Sequence, residues 1–164
     1  MKKVMLVTLA VLALAAAAFA SDESTAKPWF DLEKCGFCKA FAAQPGLLDN
    51  MKHHSYDVNN GVLMVNQIPK EFQPAFKIAQ ADMQKVVADL QAGKDIYKCE
   101  HCTQIGEFYK MNVRAEEIHA DFGDIVLMTS SDPAVVTKLQ AFGARNNQEI
   151  AKFEAKVDQP SKKY

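Results

Sequence analysis

The strongest constraint on this chain is a motif that occurs twice. Residues 31–38 read DLEKCGFC and residues 95–102 read DIYKCEHC, so an Asp, a Lys and two cysteines recur 64 positions later. The same offset, applied without gaps, aligns six further identical residues, at Asp57, Val62, Leu63, Met64, Pro69 and Gln84. We therefore predict an internal duplication, with a first repeat over 31–92 and a second over 93–157.

Each repeat has the pattern of a helix, a hairpin and a second helix. In the first repeat we predict a helix within 38–51, interrupted at Pro45-Gly46, because proline and glycine break helices. Strands at 54–58 and 62–68 flank Asn59-Asn60-Gly61, residue types that suit a tight turn. Apolar residues at helical spacing predict a second helix that ends at Gly93. These apolar residues are Phe72, Phe76, Ala79, Met83, Val86, Val87 and Leu90.

The second repeat follows the same order. We predict a helix over 102–115 and strands at 117–121 and 125–129 around Phe122-Gly123-Asp124. The last helix begins at Ser131-Asp132-Pro133, a capping side chain followed by proline at the first helical position. Its apolar residues at helical spacing are Val135, Val136, Leu139 and Phe142, with Ile150 and Phe153 further on.

A unit of about 60 residues buries too little apolar surface to be stable alone. We expect the two α-β-β-α units to pack around a pseudo-twofold axis as one α+β domain. Its four antiparallel strands would form a sheet with helices packed on it. The symmetry would bring the two CxxC motifs close to each other.

The two ends of the chain have different predicted roles. Residues 1–20 have a basic start, an apolar run from 4 to 18 broken only by Thr8, and an A-x-A ending, which is the layout of a secretory signal peptide. No cysteine follows the cleavage point, so we expect no lipid anchor and a soluble exported protein, either periplasmic or extracellular. Residues 21–30 would form an N-terminal extension and 158–164 a disordered tail.

Composition and motifs exclude several functions. Without residues 1–20 the 19 basic residues fall to 17 against 20 acidic ones, a net charge of −3, and this argues against nucleic acid as a partner. No glycine-rich loop for phosphates is present, so no nucleotide is expected. Covalent haem needs a histidine directly after CxxC, whereas Lys39 and Thr103 stand there. The only catalytic set that we find is the cysteines themselves, so we do not expect an enzyme unless they are redox-active.

Cys35, Cys38, Cys99 and Cys102 permit three interpretations. All four could bind one zinc ion in a tetrahedral thiolate site that joins the repeats. They could instead form disulfides, which are common in exported proteins. A bridge between the repeats would close the longer loop and stabilise more than a bridge within one motif. Finally, a CxxC that opens a helix has a thiolate stabilised by the helix N-terminus, as in thiol-disulfide oxidoreductases. Cys35-Gly36-Phe37-Cys38 is similar to disulfide isomerase motifs, but no βαβ unit precedes it.

His53, His54, His101 and His119 are further candidate ligands. His54 and His119 fall near the starts of their hairpins, so they could form a second metal site across the pseudo-axis with His101, or be exposed residues at strand ends. We expect Trp29-Phe30 to cap the core beside the first CxxC rather than to bind a ligand.

The chain resembles a family of small exported bacterial proteins with two CxxC motifs and no established activity. The resemblance lies in PWFDLE at 28–33, PGLL at 45–48 and SSDP at 130–133. It implies a stable, recurrent module. The sequence thus favours an exported binding or structural module, with a protein partner or a homodimer possible. The alternative is a periplasmic thiol-disulfide oxidoreductase or metal-handling protein.

Overall fold

The computed structural model describes residues 26–157, in which four seven-residue strands form one antiparallel sheet. The signal peptide predicted over 1–20 and the tail predicted over 158–164 lie outside the described residues. The strands are β1 (Lys52–Val58), β2 (Gly61–Gln67), β3 (Arg114–Ala120) and β4 (Gly123–Thr129), in the spatial order β1-β2-β4-β3. Each hairpin therefore supplies one central and one edge strand, and the predicted α+β class with four antiparallel strands is confirmed.

The two hairpins have two-residue turns, Asn59-Asn60 and Asp121-Phe122. The second turn was expected one residue later, around Gly123, but Gly123 is the first residue of β4. It lies against Gln67 of β2 with φ of 141°, and a Cβ there would overlap the carbonyl oxygen of Asn66. The glycine is therefore needed for the close approach of the central strands rather than for the turn.

Five α-helices accompany the sheet in the described residues. They are α1 (Gly36–Ala42), α2 (Leu47–Asn50), α3 (Gln73–Gln91), α4 (Glu100–Lys110) and α5 (Pro133–Val157). Gly46, with φ of 72°, separates α1 from α2, so the predicted interruption at Pro45-Gly46 is confirmed. The start of α5 at Pro133 is confirmed too, since Asp132 Oδ1 accepts a hydrogen bond of 2.8 Å from the amide of Ala134.

The helices bury one face of the sheet. Side chains alternate between the faces of a strand, so Val62 and Met64 of β2 share a face with Met128 of β4. Leu139 and Phe142 of α5 pack on them and are almost fully buried. A second cluster lies between α1, α2 and α3 and comprises Ala40, Leu47, Ile68, Phe76 and Ala79.

The order helix, hairpin, helix occurs in both halves of the chain, but the spacing drifts. The cysteine motifs are 64 residues apart, whereas β1 and β3 begin 62 residues apart, at Lys52 and Arg114. Duplication of an ancestral unit stays a prediction. Between residues 26 and 157, the helices are all too short or too polar to cross a membrane.

Candidate metal centre

The structure brings the four cysteine thiols together, as the expected symmetry required. Cys38 Sγ lies 3.6 Å from Cys99 Sγ and 4.0 Å from Cys102 Sγ. All four sulfur atoms, including that of Cys35, lie within 4.8 Å of one another. None of the four is in a disulfide. The two CxxC motifs therefore form one cluster with contributions from both halves of the chain.

Each CxxC motif lies at the start of a helix. The two motifs therefore present their thiols in the same way although they are far apart in the sequence. Cys35 is the N-cap of α1 and Cys99 is the N-cap of α4, and Cys38 and Cys102 follow in the first turn of each helix. Successive turns of backbone carry positions i and i+3 to the same side of a helix. Each helix start thus offers two sulfur atoms on one side.

Backbone hydrogen bonds fix the two helix starts. The amide of Gly36 donates to the carbonyl of Tyr97, just before the second motif, at 3.0 Å. The amide of Glu100 donates to the carbonyl of Pro28 at 3.0 Å. Free amides at a helix N-terminus need such acceptors, and here the acceptors come from segments distant in sequence.

The repeated aspartate of the motif has a visible role in its first copy. Asp31 Oδ1 accepts hydrogen bonds from the amides of Glu33 at 3.1 Å and Lys34 at 2.8 Å. The Asp31 carbonyl also accepts from the amide of Cys35 at 3.2 Å. This local turn directs the chain into α1 and places the first cysteine.

Burial and mutual hydrogen bonds perturb the thiols strongly. Cys35 and Cys99 are 0% exposed, Cys38 is buried and Cys102 is half-buried. The pKa of Cys35 is lowered, first by a hydrogen bond from Cys102 and then by those from Cys38 and Cys99. The pKa of Cys102 is raised, because its proton is held in hydrogen bonds to Cys35 and the other two sulfur atoms. Thiols so close cannot all ionise without a cation between them, since like charges repel.

The spacing matches what a tetrahedral metal requires. With zinc–sulfur bonds of about 2.3 Å, the sulfur atoms of a tetrahedral site lie about 3.8 Å apart. The observed 3.6 and 4.0 Å bracket that separation. Sulfur ligands select soft or borderline ions such as zinc over magnesium or calcium. The arrangement is therefore compatible with a four-cysteine zinc site.

An aromatic shell covers the second motif. The His101 ring lies 4.9 Å from the ring of Phe30, 5.0 Å from that of Phe142 and 5.9 Å from that of Trp29. Burial lowers the pKa of His101 to about 3, so its imidazole is neutral. The Trp29 carbonyl accepts from the amide of His101 at 3.1 Å. The expectation that Trp29-Phe30 caps the core is confirmed, since Trp29 is buried in the main hydrophobic cluster and Phe30 packs against it.

The remaining histidines do not form the second site considered from the sequence. His54 is on β1 and His119 on β3, and these are the two edge strands. Strands are about 4.8 Å apart, so three spacings put the two residues roughly 14 Å from each other. Both side chains are exposed, which agrees with the alternative that they are exposed strand residues rather than ligands of a shared metal.

Glu117, His119 and Asp124 form a further group that was not predicted from the sequence, and their ligand atoms lie within 4.8 Å of one another. Asp124 is buried, and its two carboxylate oxygens already accept hydrogen bonds from His119 Nδ1 at 2.8 Å and Gln80 Nε2 at 2.6 Å. The pKa of His119 is raised by that bond to Asp124. The three residues lie on the β3–β4 hairpin, where His119 is paired with Asp124. Their proximity was missed because Asp124 was expected in the turn.

Comparison of the chain with protein-family models, with curated proteins and with solved structures finds no match to any of them. The function is therefore inferred from the chemistry of the cysteine cluster.

Proposed function

We propose that this protein is an exported structural or binding module whose two halves are held together by one zinc ion on Cys35, Cys38, Cys99 and Cys102. The observation that carries the proposal is the sulfur spacing of 3.6 and 4.0 Å, close to the edge of a zinc–thiolate tetrahedron. We further propose that it belongs among small exported proteins with two CxxC motifs.

The position of the cluster in the fold supports a structural role. Cys35 and Cys38 open α1, whereas Cys99 and Cys102 open α4, and α1 also packs along α3. A metal there would cross-link segments 61 to 64 residues apart. Structural zinc in small domains supplies roughly 10 kcal/mol or more of folding free energy. Removing it should destabilise both helix starts at once.

Single replacements of each cysteine by serine test the zinc proposal. We expect each variant to lose zinc and to melt at least about 10 °C lower, because several kcal/mol of folding energy disappear. Ala40→Ser provides the control, since Ala40 is buried on the same α1 helix but contributes no sulfur. Cysteine variants that keep the melting temperature of Ala40→Ser in the presence of zinc would contradict the proposal.

A thiol-disulfide oxidoreductase is the second candidate, and one observation favours it. Cys99 is at a helix N-cap and its pKa is lowered to about 7, first by the hydrogen bond from Cys102. However, a thiolate must reach its substrate, and Cys35 and Cys99 are fully buried. An insulin reduction assay with dithiothreitol distinguishes the two functions. Turnover that disappears in Cys99→Ser supports the oxidoreductase, and no turnover supports the zinc module.

Export of the chain is tested by its own measurement. The full chain expressed in a bacterium with an outer membrane should appear in the periplasmic or extracellular fraction with Ser21 as its first residue. Replacing Ala18 and Ala20 by bulky residues should leave the unprocessed chain behind, because signal peptidases need small residues there.

A further inference from the structure

The second face of the sheet carries a continuous apolar patch whose centre no helix covers in residues 26–157. At its β1 edge, Glu154 of α5 lines a shallow pocket with His54, Tyr56 and Val65. Register and strand alternation put four rows of side chains on this face. The outer rows run from Lys52 to Ala120 and from Val58 to Arg114, and the two central rows form the patch. One row is His54, Val65, Ile125 and Ile118, and the other is Tyr56, Leu63, Leu127 and Glu116. None of these eight side chains belongs to the hydrophobic clusters formed by the described residues. Six of the eight are apolar or aromatic.

The patch is exposed on the two edge strands and half-buried on the two central strands. Ile118 is 51% exposed and Tyr56 is exposed to the same extent. Between them lie the half-buried side chains of Val65, Leu63, Ile125 and Leu127. Contiguous apolar patches of this kind on a soluble domain mark interaction sites, whereas single exposed apolar residues do not.

We propose that this open face, with the two central rows as its core and the two outer rows at its ends, is the interface of a homodimer in which two copies pack sheet against sheet. A two-fold interface needs a patch that complements itself. Tyr56 and Glu116 stand at opposite ends of one row, so a two-fold axis along the strands places Tyr56 of one copy opposite Glu116 of the other. The phenol hydroxyl then donates to the carboxylate, and the four apolar central residues pack on their counterparts.

The size of the face agrees with such a dimer. Seven-residue strands rising about 3.3 Å per residue and spaced about 4.8 Å apart give a face of roughly 23 by 19 Å, or about 440 Å². Two copies would cover roughly 900 Å² of flat area, more once side-chain relief is included, near the roughly 1,000 Å² that a specific interface needs. The expected dimer is therefore weak and dependent on concentration.

The charges on this face argue against other occupants. The central residues of both central rows are uncharged. The basic residues on this face are Lys52 and Arg114 in the outer rows, and Arg114 Nε is paired with Glu116 Oε1 at 2.9 Å. A nucleic acid or an anionic membrane would need a basic surface. An apolar centre with few charges is typical of the core of an interface between proteins.

Sedimentation velocity on the purified exported protein, from about 10 μM to about 1 mM, tests the dimer. We expect a dimer fraction that grows with concentration in the parent and in Ile78→Lys. Ile118→Lys should associate at least tenfold more weakly. Ile78 is the matched control because it is 54% exposed, as Ile118 is 51%, but lies on α3.

A second pair of variants guards against misfolding of Ile118→Lys. Tyr56→Lys should also weaken association, whereas Tyr109→Lys should not, because Tyr109 is an exposed tyrosine on α4. Zinc content and melting temperature report folding independently of association. The proposal is overturned if the parent stays monomeric, if the two controls also lose the dimer, or if the open-face variants keep it. Binding to phosphatidylglycerol vesicles without self-association would also overturn it.

Discussion

The indole of Trp29 donates a buried hydrogen bond of 2.9 Å from Nε1 to Oδ1 of Asn146, 117 residues further along the chain. Asn146 is 0% exposed in the middle of α5, and its amide nitrogen donates to Met64 Sδ at 3.8 Å. The guanidinium carbon of Arg145 lies 5.7 Å from the centre of the Trp29 ring. This bond ties the segment before the first CxxC to the last helix and to the sheet beneath it.

Trp29→Phe should lower the free energy of unfolding by about 1–3 kcal/mol, because Asn146 Oδ1 loses its donor while staying buried. Asn146→Leu alone should also lower the free energy of unfolding, but it should lower it by less when Trp29→Phe is already present. Urea unfolding measures both losses. It is followed by circular dichroism rather than by tryptophan fluorescence, because Trp29 is the only tryptophan in the chain. Strictly additive losses in the double variant would show that the two groups do not act as a pair.

Two helix glycines should respond oppositely to alanine. A Cβ at Gly143 would meet Val62 Cγ2 at 2.6 Å and Ser55 Cβ at 3.2 Å, so Gly143→Ala should force α5 away from the sheet and cost about 1–3 kcal/mol. Gly106, within α4, has open space around it. Gly106→Ala should therefore stabilise by about 0.5–1 kcal/mol. Melting temperatures that move in the same direction for both variants would contradict the close packing of α5.

Stability should fall as pH decreases from about 7 to 5, and His53 should contribute to that fall. Its Nδ1 lies 2.7 Å from Asn66 Oδ1 and its Nε2 lies 3.1 Å from Ser55 Oγ, and burial lowers its pKa. The unfolded chain therefore binds a proton near pH 6.5 that the folded chain rejects, so stability is present above that pH and is lost below it.

The variant His53→Gln isolates this contribution. The slope of the free energy of unfolding between pH 7 and 5 should be shallower in His53→Gln than in the parent. His54→Gln should make the slope shallower by a smaller amount, because the charge of His54 is the least of the causes that shift the pKa of His53. Equal slopes in the parent and in His53→Gln would exclude the predicted role of His53.

The α+β sheet was predictable because it depends on short-range patterns, whereas the proximity of the cysteines was inferred from the expected symmetry of the two CxxC motifs. Pro45-Gly46 and Asp132-Pro133 act locally on helix boundaries, so their effects were predictable. Asn146, the partner of Trp29, and Gln80, one partner of Asp124, were not predictable, because they lie on helices whose packing depends on the whole fold. His54 and His119 are nearly equivalent in the predicted repeats, but the order β1-β2-β4-β3 puts them on opposite edge strands. A repeat in sequence fixes local environments and leaves open which strands become neighbours.

The gap between the two CxxC motifs illustrates the same limit. A separation of more than 60 residues made a shared zinc site less expected from sequence, because compact zinc ribbons have shorter spacings. In the fold, Gly36 bonds to the carbonyl of Tyr97, so α1 and α4 begin side by side. The long loop between the motifs is occupied by the first hairpin and α3.

The most direct test is the intact mass of the purified exported protein, measured under native and denaturing conditions and after alkylation of the denatured chain. Our account predicts one zinc ion per chain in the native state, its loss on denaturation, and four alkylated thiols at Cys35, Cys38, Cys99 and Cys102. A chain without metal, about 4 Da lighter than its reduced form and resistant to alkylation, would instead have two disulfides and would contradict the zinc centre.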